Sequence, residues 1–346
     1  VSAATSFDAW VDRGPFTALD LGIFRILFAL SSLLLLPRPE AMSGLPDFLW
    51  KPPPGPFRLL DSPPPPAVVA GITVIQVLAL VLVLLGVFTT VSSIAAALLF
   101  VVADGLGNGY GPIYHYILLA VVPLVLCWAG WGRRLSVDAR RRPDDDRPVP
   151  QWPLRLLALC IAVAFATAGL AKLRAGWLDL DSQSTRSHFV SSFVVQGNDR
   201  FLAPLVSHLD SRPLWELLDW FTVALELLLL VAVVRWTWFV RALPVLVAFH
   251  VGVLLVLSIA CAANVVAYGA FVRWSRWWPE RPLRSPSPAD LTAVGVGAAA
   301  IALGVNQVHL HAPATELYLK AAFVLGAGAV ATVLCLRPRP ARSTSG

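Results

Sequence analysis

The sequence predicts an all-α, polytopic integral membrane helical bundle, and three observations carry that reading. Hydrophobic residues make up 57% of the chain, charged residues only 14%, and mean hydropathy is +0.70; a soluble domain carries roughly a quarter charged residues. Several apolar runs approach or exceed the ~20 residues that span a bilayer. The arginines gather in short connections between those runs, where they report orientation. The net charge of +6 is therefore no sign of nucleic-acid binding.

The apolar periodicity predicts helices over 17–36, 67–88, 91–104, 112–131, 152–175, 213–234, 239–258, 261–273, 289–306 and 316–336, about eight to ten of them crossing the membrane. Four arginine-bearing segments fall on one side of this scheme: Arg133 to Arg147, Arg235 with Arg241, Arg273 to Arg284, and Arg337 to Arg342. The positive-inside rule places them, and both termini, in the cytoplasm. A single helix over 239–273 would put the third group outside, so that run is divided. The connection 37–66, with KPPPG and DSPPPP, cannot be α-helical and reads as an extended or polyproline strap. The loop 132–151 reads as a solvated hairpin. The outer connection 176–212 is the longest and most polar, a length more often functional than mere linkage. The bias to Arg, Ala, Pro and Leu points to a GC-rich bacterial genome, hence a bacterial cytoplasmic membrane.

Four cysteines (Cys127, Cys160, Cys261, Cys335) lie inside apolar runs with no metal-ligand or redox spacing, as small core residues do. HLH at 309–311 has no matching third ligand, and no metal is expected.

Polar residues at bilayer depth each cost roughly 2.5–3.5 kcal/mol and need a reason. Arg25 lies about 12 Å into the first helix, and Glu226 at matching depth in the sixth. A buried structural ion pair between them is the simpler expectation, a proton or ion path the other. His115, in GYGPIYHYI, reads either as a hydrogen-bonded member of an interfacial aromatic belt or as an outward-facing acid/base group. His250, in LVAFHVGVLL, reads as a packing residue, with Asn264 as a partner. Lys172 stands in AGLAKLRAGW, where the fifth helix meets an exit containing Gly176 and Trp177. It is one of three lysines, with Lys51 and Lys320, in a chain that writes its other 24 basic residues as arginine. A snorkelling lysine is one reading. The other is an amine that must give up its proton, which a guanidinium does not do.

The pieces LDLGIFRILFAL, YHYILLA, AGLAKLRAGWLD, LELLLLVAVVRWTWFVRAL and AFHVGVLLVL, in this order, resemble the transmembrane (HTTM) domain of the vitamin K-dependent gamma-carboxylase family and its bacterial relatives. The resemblance covers roughly residues 7–275. It implies a carboxylase-like transmembrane domain over 1–275, followed over 276–346 by two additional C-terminal transmembrane helices and a short basic tail. It also implies a site open to the outer face. In that family, a lysine matching Lys172 takes a proton from a reduced quinone. Oxygen converts the hydroquinone to a strong base, that base removes a carbon-bound proton, and carbon dioxide adds. A histidine matching His115 assists. The implied cofactor is a reduced vitamin K or menaquinone-type quinol, with Trp177, His250 and Asn264 as candidate quinol-binding residues. The implied partners are the lipid bilayer, the lipid quinone and a small secreted peptide or small-molecule substrate.

Overall fold

The computed structural model describes residues 10–42, 46–52, 55–108, 116–142, 147–180, 182–277 and 287–336. Among them the main helices are α1 Ala18–Leu34, α2 Pro66–Leu85, α3 Thr89–Gly107, α4 Ile117–Leu126, α5 Trp152–Arg174, α6 Ser184–Val190, α7 Arg212–Ala232, α8 Trp236–Leu257, α9 Ala262–Tyr268, α10 Pro288–His311 and α11 Pro313–Leu336, and no strand occurs. Six of the described helices are long and apolar enough to cross a membrane: α2, α3, α5, α8, α10 and α11. The chain is an all-α polytopic membrane protein. The remaining predicted spans are shorter or more polar. The 17 residues of α1 and the ten of α4 fall below the usual length, and α7 buries Glu216, Asp219 and Glu226.

Local chemistry sets the helix limits. Thr17 and Asp20 form a capping box at the start of α1, as do Ser287 and Asp290 at α10, satisfying N–H groups that lack helical partners. The division predicted within 239–273 is present: α8 closes on Ser258 in the left-handed region, φ 56°, and α9 begins four residues later. In the proline-rich connection the described residues form short 3₁₀ turns, Pro39–Met42, Asp47–Leu49 and Pro56–Leu59, rather than a continuous extended strap.

The chain divides into two compact units, Val1–Val163 with Val266–Glu316, and Ala164–Val265 with Leu317–Gly346. In the first, α2 packs on α1, α3 and α10, and α3 packs on α4. Its polar centre is Arg25, fully buried. The guanidinium donates to the carbonyls of Trp131 at 3.1 Å, Arg134 at 3.4 Å and Leu135. The loop predicted to be solvated is therefore anchored to the interior at its start, where Trp131 and Ser136 are buried while Arg134 stays exposed. Trp131 is wholly enclosed, with Phe24 and Phe28 at 6.5 and 5.7 Å, and its indole N–H donates to Ser93 Oγ at 3.2 Å. Asp138 closes the same loop onto the start of α3, accepting from Phe88 N at 3.1 Å and from Thr89 N and Oγ1, each at 2.7 Å. Gly86 makes this approach feasible. Its φ of +67° suits glycine, and a Cβ there would lie 2.3 Å from Ser136 Cβ and 2.9 Å from Arg25 Nη1.

Arg25 thus directs both terminal guanidinium nitrogens at three carbonyls of this loop. Arg25→Met should lower stability by about 3 kcal/mol by leaving buried carbonyls without donors. Arg25→Lys, with no planar fork, should recover only part. The measurement is the thermal unfolding midpoint in detergent, and an unchanged midpoint in Arg25→Met would contradict the assignment.

Candidate functional site

The second unit holds the residue that composition singled out. Helix α5 ends in a Schellman motif. Gly176, at φ +76°, turns the chain, its N–H reaching Leu173 O at 3.3 Å, while Trp177 N reaches Lys172 O at 3.2 Å. In that motif the residue after the glycine commonly contacts the one five positions earlier. Here these are Trp177 and Lys172, and the Lys172 ammonium lies 5.3 Å from the indole centroid, a cation–π distance. A helix-stop signal thus places an aromatic ring against the amine.

Lys172 Nζ donates to both oxygens of Glu226, at 2.5 and 2.7 Å. The lysine side chain is 23% exposed and the glutamate 6%, so the carboxylate is the enclosed partner and the amine the accessible one. Gly169 lies three residues before Lys172, on the same face of α5. A Cβ there would stand 3.0 Å from Glu226 Cβ and 3.1 Å from the Leu227 side chain. The missing side chain lets α7 come close enough for a bidentate pair.

Glu226 belongs to a buried stripe on α7 that includes Trp215, Asp219, Thr222 and Val223. Asp219, two turns earlier, is fully buried and accepts from Ser184 N at 2.8 Å, Thr185 N at 2.7 Å and Thr185 Oγ1 at 2.5 Å. It thereby caps α6. That helix carries His188, whose ring lies 5.3 Å from Trp177. One face of α7 therefore fixes both sides of the site: Glu226 holds Lys172, and Asp219 holds the helix bearing His188. Between them lies half-buried Trp177.

The ion pair expected between Arg25 and Glu226 is not formed. Glu226 is taken by Lys172, and Arg25 by loop carbonyls. Depth along a helix does not say which face a side chain occupies, and the two residues belong to different compact units. His250 and Asn264 form a pair of their own, Nε2 to Nδ2 at 3.4 Å, with the Phe165 and Phe249 rings 5.9 and 5.5 Å from the imidazole. His115 lies outside the described residues. Two site residues escaped the sequence reading of roles: His188, inside the flagged polar connection, and Asp219. The signal for Asp219 was its seven-residue spacing from Glu226, which puts both acids on one helix face.

The family model of the HTTM domain matches residues 14–274. The chain belongs to the HTTM domain family. The matched region contains α1 through α9 and thus every residue of the Lys172 site. No curated protein and no solved structure matches the chain.

If the pair is as enclosed as the geometry shows, Lys172→Met and Glu226→Leu should each destabilise by about 2–4 kcal/mol, and the double variant by less than either. Thermal unfolding of the four proteins in detergent measures this. Additive losses would show that the two side chains are not coupled.

Proposed function

We propose that this HTTM protein is a membrane enzyme that uses a reduced lipid quinone to modify a secreted peptide or small molecule at the outer face. The observation that carries the reading is the accessible Lys172 amine, seated on an enclosed carboxylate and flanked by Trp177, whose ring in turn meets His188. The residues fit a quinol. Trp177 offers an indole to a flat ring, and Lys172 and His188 can each exchange a proton with a hydroxyl. When bound, a reduced quinone would supply the oxidisable group from which, with oxygen, this class of enzyme obtains a base strong enough to deprotonate carbon, with carbon dioxide as the electrophile in its carboxylating members.

The chain's own residues do the following. Lys172 is the base, and a base must first be free of its proton. Glu226 receives that proton. In apolar surroundings a neutral amine and carboxylic acid compete with the ion pair, because separated charges are poorly solvated there. Trp177 orients the amine, and α6 shields the site from bulk water. His188 stands as a second acid/base group in the described residues, the role that the resemblance gives to His115. His250 and Asn264 would hold a more remote part of the quinone. The loop arginines favour this end of α5 facing outward, and the bias to Arg, Ala, Pro and Leu favours a bacterial cytoplasmic membrane.

The bidentate pair also favours a second reading, in which Lys172 and Glu226 only tie α5 to α7 and the protein binds a quinone or partner without catalysis. Lys172→Ala separates the two. On the enzymatic reading, quinol consumption in membranes should fall by about 10²–10⁴-fold, the usual worth of a general base, while the inserted amount of protein stays near wild type. Undiminished turnover in that variant would favour the non-catalytic reading.

A further inference from the structure

Beyond His188, which meets Trp177, the connection between α5 and α7 has a packed face and a bare one. Helix α6 runs on as a π-helical segment, Ser191–Val195, and a helical turn follows at Ala203–Val206. One face is packed. Phe189, Ala203 and Trp215 form a small buried core, with Phe193, Val206, Leu218, Val256 and Leu257 against it. Two hydrogen bonds tie this face to the end of α8: Ser192 Oγ to Leu257 O at 2.9 Å, and Leu202 N to Leu255 O at 3.0 Å. The connection is thus a built element and not a slack loop.

The other face is bare and apolar. Val190 and Val194, one turn apart, are 46% and 69% exposed, Val195 79% and Leu205 71%. Single exposed apolar residues need no explanation, but a group of them on one ordered element does. Exposed leucines also stand near the adjoining ends of the flanking helices, Leu170 and Leu173 on α5 and Leu214 and Leu217 on α7. Helix α5 is one of the membrane-crossing helices, so its bare leucines meet hydrocarbon. Exposed Ser187, Ser191 and Gln196 border these valines, while Arg186 pairs with Asp210 at 2.9 Å and Arg200 lies 6.0 Å from the Tyr318 ring.

We infer that residues 184–206 lie in the headgroup layer, with the Val190–Val194–Val195–Leu205 face against lipid, as an interfacial helix buries its apolar side at the acyl boundary. Lipid is the occupant because the segment carrying the face begins ten residues after the end of α5, a helix long and apolar enough to cross a membrane.

The test uses the full chain in phosphatidylcholine–phosphatidylglycerol vesicles, with its four cysteines replaced by alanine and a nitroxide placed at Val194→Cys, Leu205→Cys or Asp199→Cys. Val195→Cys stands in if either apolar site fails to insert. Labels at 194 and 205 should be relaxed several-fold more by oxygen than by a water-soluble nickel chelate, with the order reversed at 199. Chelate-dominated relaxation at all three sites would overturn the inference and show a water-facing surface. Labels at 194 and 205 shielded from both reagents would also overturn it, showing a face covered by protein. Neither result depends on what Lys172→Ala does to turnover, so this inference and the catalytic reading fail separately.

Discussion

An ammonium and a carboxylate carried into an apolar bundle must find each other, and in the second unit that requirement organises everything near it. Glu226 is enclosed on α7 and its charge has to be met. Lys172 meets it with two hydrogen bonds. The cost of leaving either group alone exceeds what most contacts supply, so the register of α5 against α7 is set by this pair. Gly169 is the steric condition for it, because a side chain there would push the helices apart.

The same physics recurs with different partners. Asp219 meets its charge with backbone N–H groups and a hydroxyl at the start of α6, and Arg25 meets its own with carbonyls of the loop after α4. In each case a long-range polar contact pins a segment with little apolar surface of its own. The loop over 131–138 and the short helix α6 are ordered in this way. That is why a segment that reads as solvated is anchored to the interior, and why a polar connection brings His188 against Trp177.

The arrangement joins stability to chemistry. An enclosed carboxylate with an accessible amine is a structural tie, and it is also where the proposed chemistry is placed; Trp177 belongs to it through the helix-stop geometry. A site built from a helix end, rather than from a mobile loop, holds its amine in one position. The polar stripe on α7 makes that helix less apolar than its neighbours because it carries the site.

The sequence by itself determined the class and most of the helices. Apolar run length, capping residues and helix-stop glycines are local, and the division between α8 and α9 followed from charge in the connections. It also pointed to Lys172, through the scarcity of lysine, and to Trp177, through the glycine beside it. Only the tertiary structure decided the partners. Depth along two helices matched Arg25 with Glu226, but pairing depends on which faces meet, and helix rotation is not readable from depth. Lys172 proved to be the partner of Glu226 because Gly169 opens that face of α5 to α7. His188 joined the site because a buried aspartate on another helix caps the segment that carries it, a contact between positions 35 residues apart that no local pattern announces.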